Sequence, residues 1–295
     1  MVNLKEILDT HEQVILDGSV ESAPHGDSFM DANFDIRNYF NIDRDSLKRA
    51  ISRIQKFSDH LNHPNSRTTP EITEEIRTYA EKLGEKRTYL SLVPRNINHK
   101  MRQTAIERAS STEKLFANFQ EIVFNSYQVS KKKELKINDR KYEFLTDMVI
   151  SLEKIIKTKK DWKYEHGFRD RDRSHDSNAD EKIVSTLLYQ SIFSEKTPVL
   201  ATKDRDFIKL LGIIPGIIGS DEFMPYNSLF RKRITENPFK LYFAKAGDNH
   251  DDFSRYLNSL YLKFAPEFSI DQKSEEENKE IKGHISKLWV QFSYF

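Results

Sequence analysis

The pattern of apolar and polar positions divides the chain into short strands and amphipathic helices. Compact apolar runs at 14–16, 198–201 and 239–244 are typical of buried strands. Because prolines suit the first position of a helix, Thr69 followed by Pro70 fits a helix start. Apolar residues at helical spacing predict helices at 45–61, from Pro70 onward, within 83–130, and at 142–156, 179–193 and 207–211. Strands that alternate with helices predict an α/β fold with a mainly parallel sheet.

Carboxylates follow two of the predicted strands. Asp17 comes directly after the strand at 14–16, and Asp204 and Asp206 follow the strand at 198–201. Since the carboxyl ends of parallel strands meet at one edge of a sheet, we expect these three acids to share that edge.

Two further acids lie at predicted helix starts. Asp180 opens the helix at 179–193, and Glu75 lies in the first turns of the helix that begins at Pro70, where Glu71 or Glu74 would serve the same chemistry. Carboxylates that meet repel one another, and a divalent cation offsets that repulsion. A set of oxygen ligands alone suits Mg²⁺ or Mn²⁺ rather than zinc.

Each acid also has a purely structural interpretation. Asp17 before Gly18 is a good turn residue. Asp180 follows Ser177 by three positions, which resembles a capping box. Acids in the first turn of a helix, as at Glu75, interact favourably with the helix dipole. The functional interpretation therefore depends on all of them occurring together.

The order of these motifs resembles that of a PIN domain, a metal-dependent nuclease fold. The matching segments are VILDGS with Asp17, TPEITEEI with Glu75, ADEKIVSTLLYQS with Asp180, and ATKDRDF with Asp204 and Asp206. The resemblance covers about 10–82 and 143–245. It implies a three-layer fold with a mainly parallel central sheet within residues 1–250. The region of about 83–140 is then a helical insertion, and 251–295 is a C-terminal extension.

The resemblance implies a metal-dependent endoribonuclease that hydrolyses RNA phosphodiester bonds with Mg²⁺ or Mn²⁺. Asp17, Asp180, Asp204 and Asp206 would be ligands, and Glu75 would bind metal or position water. Thr202 would orient a carboxylate, and the candidates for phosphate contact are Lys203, Arg205, Arg169, Arg171 and Arg173. A toxin, a defence effector or an RNA-processing nuclease would each fit. A protein inhibitor and a second copy of the chain are the further partners that this implies.

Composition limits these functions in two ways. The net charge of +1 gives no general attraction to nucleic acid, although basic runs occur at 131–133, 157–160, 169–173 and 231–233. The 295 residues include no cysteine, so thiolate metal sites are excluded and a reducing compartment is expected. The longest apolar run, near 210–218, is too short to span a bilayer. We therefore expect a cytoplasmic protein without a membrane partner.

Three alternatives compete with the ribonuclease hypothesis. A PIN-like scaffold or RNA-binding module would have the fold without catalysis, and a related fold would cleave branched DNA. The segment GDNHDD at 247–252 fits a motif of haloacid-dehalogenase-like phosphatases. Those enzymes also need Asp-x-Asp after the first strand, whereas this chain has Asp17-Gly18-Ser19 there.

Overall fold

The computed structural model describes residues 2–21, 44–92, 102–158, 178–194, 196–204, 236–246 and 249–254, with single positions 207, 210, 211 and 232. Its strands are β1 (Val2–Asn3), β2 (Val14–Leu16), β3 (Ser66–Arg67), β4 (Val199–Thr202), β5 (Lys240–Ala246) and β6 (Asn249–Asp252). Its α-helices are α1 (Leu4–Thr10), α2 (Arg44–Asn62), α3 (Pro70–Leu92), α4 (Arg102–Lys132), α5 (Arg140–Thr158) and α6 (Ala179–Phe193). The predicted α/β class is confirmed.

The strands form one mixed sheet in the order β1-β6-β5-β4-β2-β3. The neighbours from β3 to β5 pair in parallel, whereas β6 is antiparallel to both β5 and β1. Leu16 of β2 lies opposite Ala201 of β4, and Ile15 lies opposite Arg67 of β3. The ends of β3, β2 and β4 therefore reach the same side of the sheet, which we call the carboxyl edge.

Most of the predicted elements are confirmed near their predicted bounds. The strand at 14–16 is β2, the helix at 179–193 is α6, and the helices at 45–61 and 142–156 are α2 and α5 with slightly longer ends. Every residue of β2 and β4 is buried. Strands covered on both faces have unbroken apolar runs instead of alternation, which explains why these two were visible in the sequence.

The helical pattern at 83–130 belongs to two helices. α3 begins at Pro70, as predicted, and continues without a break to Leu92, and α4 follows from Arg102. The helical spacing of apolar residues in α3 continues past position 82, since Tyr79 and Leu83 are both buried on the inner face of the helix. α3 therefore crosses the boundary predicted between the nuclease core and the helical insertion.

The α3–α4 hairpin is part of the main hydrophobic core. Phe116, Phe119 and Val123 of α4 belong to the same buried cluster as the residues of β2 and β4. The rings of Phe119 and Tyr79 meet edge to face with centroids 5.8 Å apart. Aromatic pairs in this geometry stabilise a core beyond the area that they bury.

The described part of the chain contains no helix that combines the length and the apolar character needed to cross a bilayer. Of the predicted C-terminal extension, residues 251–254 are described and the rest lies outside the described residues.

Candidate functional site at the carboxyl edge

Asp17 is the buried acid of the carboxyl edge. It follows β2 directly, and the residue is only 8 % exposed. Its backbone N–H donates to the carbonyl oxygen of Ala201 at 3.1 Å, which joins the ends of β2 and β4. Its own carbonyl oxygen accepts from the N–H of Val20 at 3.1 Å and so begins the short 3-10 turn that follows.

Two hydroxyl groups anchor one oxygen of this carboxylate. Thr202 Oγ1 donates to Asp17 Oδ2 at 2.7 Å, and Ser19 Oγ donates to the same oxygen. The backbone N–H of Ser19 also points at Oδ2, at 3.3 Å. Within the described residues, the other oxygen, Oδ1, accepts no hydrogen bond. One oxygen is thus fixed by hydroxyl groups of the protein.

The same hydroxyls bind the start of the segment after β4. Ser19 Oγ accepts from the N–H of Lys203 at 2.9 Å, and Thr202 Oγ1 accepts from the N–H of Asp204 at 3.0 Å. The two hydroxyl oxygens lie 3.1 Å apart. Asp17, Thr202 and Asp204 are therefore brought together as predicted, and Thr202 has the orienting contact expected of it.

Ser19 is a site residue that the sequence analysis missed. Its hydroxyl holds Asp17 and also holds the backbone after β4. A signal was present, because a serine two positions after an aspartate commonly donates back to that carboxylate in a local turn. What could not be read locally is the contact with Lys203, which lies 184 positions away.

Burial raises the pKa of Asp17 above its ordinary value. The hydrogen bonds from Ser19 and Thr202 oppose this shift, and the negative charge of Asp204 adds to it. Among the described residues, no ammonium or guanidinium group contributes to stabilising the ionised carboxylate. Two carboxylates whose charges repel in a poorly solvated place favour a bound cation. The chemistry of these donors fits a hard divalent ion.

The acids of α3 lie in a second region and differ from one another. Glu74 is exposed and accepts from Arg77 Nε at 2.8 Å, a bond that lowers the pKa of Glu74. Glu75 is exposed. Glu71 is only 12 % exposed at its side chain, and its Oε1 lies 3.5 Å from Lys182 Nζ on α6. Of the three candidates, Glu71 is thus the one seen in contact with the start of α6.

Asp180 lies in the first turn of α6 and is partly exposed. The helix begins at Ala179, with Asn178 as its cap in a left-handed conformation (φ 50°) and with no side-chain capping bond. Asn178 rather than Ser177 is therefore the capping residue, so the Ser177–Asp180 capping box is wrong by one position. Asparagine adopts this conformation more easily than most residues do, which explains the shift.

The described residues do not assemble the whole predicted carboxylate set. They contain no group of three or more histidine, aspartate or glutamate side chains placed to hold a metal ion. Asp17 and Asp204 interact, whereas Glu75 and Asp180 lie at the starts of α3 and α6. The remaining predicted residues lie outside the described residues, namely Asp206, Arg205, Arg169, Arg171 and Arg173.

The segment behind the phosphatase alternative is described from Asn249 onward. Asn249–Asp252 form β6, and Asp252 pairs with Tyr242 near the beginning of β5. Tyr242 in turn pairs with Ala201 near the end of β4, so Asp252 is level with the carboxyl edge. The argument against a phosphatase is the sequence after β2, which has Asp17-Gly18-Ser19 instead of Asp-x-Asp.

No protein-family model matches the chain, and no curated protein or solved structure is significantly similar to it.

Proposed function

We propose that this protein is a metal-dependent nuclease that hydrolyses RNA phosphodiester bonds at the carboxyl edge. The observation that carries the proposal is the buried carboxylate of Asp17. One of its oxygens is anchored by Ser19 and Thr202, and its ionised form is disfavoured by burial and by Asp204. A Mg²⁺ or Mn²⁺ ion held there would offset both costs.

The fold that we propose is a PIN-like three-layer arrangement. Its support is the parallel block from β3 to β5, together with the motif order quoted above. Asp180, Asp206 and Glu75 complete the ligand set in this proposal, and Glu71 is the alternative to Glu75 that already contacts α6. The lack of cysteine supports a cytoplasmic location.

In this mechanism the chain's own residues bind, orient and hold charge. Asp17 and Asp204 hold the cation through their oxygens, while Thr202 and Ser19 keep the Asp17 carboxylate in one orientation. A cation held there would supply Lewis-acid stabilisation of the phosphodiester and a nucleophilic water at neutral pH. Lys203, whose backbone is tied to Ser19, is placed beside these acids and contacts the phosphate.

The test compares matched single-stranded RNA and DNA with Mn²⁺, with Mg²⁺ and with EDTA. We expect RNA cleavage that requires metal and is lost in Asp204→Asn. Asp147→Asn removes an exposed acid on α5 and is the matched control, which should cleave normally. A preference for DNA would replace the ribonuclease proposal by a DNA nuclease.

Calorimetric titration with Mn²⁺ gives an answer that does not depend on the choice of substrate. We expect binding that is lost in Asp17→Asn and weakened ~10-fold or more in Thr202→Val, because residues that orient a ligand contribute that much to metal affinity. A folded wild-type protein that binds no divalent ion would overturn the nuclease proposal and favour a non-catalytic scaffold.

A further inference from the structure

The last three turns of α4 carry an aromatic ring that is exposed to solvent. Phe124 is 51 % exposed, and its ring centroid lies 6.1 Å from that of Tyr127. Lys131 Nζ lies 6.0 Å from the centre of the Tyr127 ring. Positions three or four apart lie on the same face of a helix, so these three side chains form one row. We call Phe124, Tyr127, Lys131 and Lys132 the aromatic–basic stripe.

The charge of this stripe has one sign. Residues 124–133 include three lysines and neither an aspartate nor a glutamate. Lys131 and Lys132 are exposed. Lys133 has a different role, because its Nζ donates to Ser66 Oγ at 3.0 Å and also to the carbonyl of His63. It fastens the end of α4 to the sheet, while the two exposed lysines are directed outward.

The stripe ends beside the candidate site. The N–H of Thr68 donates to the Lys133 carbonyl at 3.2 Å, and the N–H of Leu135 donates to the Thr68 carbonyl at 2.9 Å. This pairing places Glu134 next to Thr68 at the end of β3, and β3 is the parallel neighbour of β2. Two strand spacings separate this segment from the end of β2 where Asp17 lies, which is about 10 Å.

We propose that the aromatic–basic stripe is a docking surface for single-stranded RNA. A base stacks on the exposed ring of Phe124, which lies beside the partly buried ring of Tyr127, and phosphates contact Lys131 and Lys132. Exposed aromatic rings combined with ammonium groups are how proteins hold single strands without reading their sequence. The exposed ammonium groups of Lys131 and Lys132 favour this occupant, because they complement a phosphate backbone, and Glu121 and Glu134 mark the two ends of the stripe. The proposal rests on the proposed ribonuclease function and adds the path by which the substrate reaches the edge.

The test measures binding of a fluorescein-labelled single-stranded RNA to the full chain by anisotropy, in EDTA so that no cleavage occurs. Phe124→Ala should weaken binding about tenfold, which is typical of losing one stacking side chain. Tyr89→Ala removes another exposed ring, on α3, and is the matched control, expected to change affinity less than about twofold.

The lysines are tested through the salt dependence of binding. Lys131→Gln with Lys132→Gln should lower the slope of log K against log salt by about 1.4, since each contact with a single strand contributes about 0.7. Lys48→Gln with Lys56→Gln makes the same change of charge on exposed positions of α2 and should leave the slope unchanged. An unchanged slope in the α4 variant, or an unchanged affinity in Phe124→Ala, would overturn the docking proposal.

Cleavage assays separate this proposal from the one on which it rests. If the wild type cleaves RNA, Asp204→Asn does not, and the stripe variants keep the wild-type KM, then the nuclease proposal stands and the stripe is overturned. If the stripe variants bind RNA more weakly but the wild type cleaves nothing in Mn²⁺, the stripe stands as an RNA-binding surface and the nuclease proposal fails. A Phe124→Ala variant that changes only self-association would overturn the stripe in favour of a contact between copies.

Discussion

The acids of the carboxyl edge and the acids of the helix starts are neutralised in different ways. At the helix starts, Glu74 is paired with Arg77 and Glu71 with Lys182, so the protein supplies its own cations. At the carboxyl edge, Asp17 is held by the hydroxyls of Ser19 and Thr202. A hydroxyl orients a carboxylate without cancelling its charge. At the helix starts the described partners are cations of the chain, although Glu71 Oε2 is buried and has no hydrogen bond among the described residues. At the carboxyl edge the described hydrogen-bond partners of Asp17 are neutral.

The pKa values report the same difference. The hydrogen bond from Arg77 lowers the pKa of Glu74, whereas burial raises the pKa of Asp17 and the charge of Asp204 raises it further. A raised pKa means that ionisation of the carboxyl group costs more free energy in the folded protein than in water. The surroundings of these two acids therefore shift their pKa values in opposite directions.

The largest expected effect is a loss of stability in the hydrophobic core that α4 shares with β2 and β4. Phe119→Ala in α4 should cost roughly 3–5 kcal/mol of the free energy of unfolding, because it leaves a large cavity against Tyr79 in the common core. Urea unfolding monitored by circular dichroism measures it. Phe124→Ala, on the exposed side of the same helix, should change stability by less than about 0.5 kcal/mol. If Phe119→Ala costs as little as its control, the α3–α4 hairpin is a separate unit and the common core is wrong.

The next prediction is a smaller change, an increase in stability, on substitution of Asp17. The folded pKa of Asp17 is raised above its ordinary value of 3.8, so the stability that it contributes is fully present below that pH and is lost as pH rises through the folded pKa. Asp17→Asn keeps an acceptor for the two hydroxyls and removes the charge. In EDTA at neutral pH we expect the variant to be more stable than the wild type by about 1 kcal/mol.

Thermal unfolding across a pH series, with EDTA and with Mn²⁺, provides the measurement. Saturating Mn²⁺ should reverse the order, since only the wild type gains binding free energy. Asp147→Asn, at an exposed position, should follow the wild type at every pH. A variant that is less stable than the wild type in EDTA would show that the ionised carboxylate stabilises the folded protein.

Several elements of the fold could be predicted because buried segments have recognisable local patterns of apolar residues. β2 and β4 are unbroken apolar runs, and α6 agrees with its predicted bounds at both ends. The proximity of Asp17 and Asp204 also followed from the sequence, since Asp17 comes directly after β2 and Asp204 comes two positions after the end of its parallel neighbour β4. The antiparallel strand β6 was not predicted, because all four residues of Asn249–Asp252 are polar and give no apolar run.

The assignment among Glu71, Glu74 and Glu75 could not be made from the sequence. All three lie within the first turns of α3, where acids are favoured whatever their function. The contact that distinguishes Glu71 is tertiary, because α6 brings Lys182 against it, whereas Glu74 pairs locally with Arg77 three positions later on the same helix. The contribution of Ser19 was missed because one of its two contacts is tertiary: its hydroxyl accepts a hydrogen bond from the N–H of Lys203, directly after β4.

The smallest expected effect tests whether the helix-start region is neutralised by the chain itself. In a double-mutant cycle with Lys182→Met and Glu71→Gln, we expect a coupling free energy of roughly 0.5–1 kcal/mol. Lys182 is 37 % exposed and the pair is 3.5 Å apart, so solvent screens part of the attraction. Urea unfolding of the four proteins at low and high salt gives the coupling. The pair Arg77–Glu74 is more exposed and should couple less and lose its coupling to salt first. If Lys182→Met costs the same with Glu71 and with Gln at that position, the two groups do not neutralise each other. Glu71 would then belong with Asp17, as an acid that awaits a cation from solution.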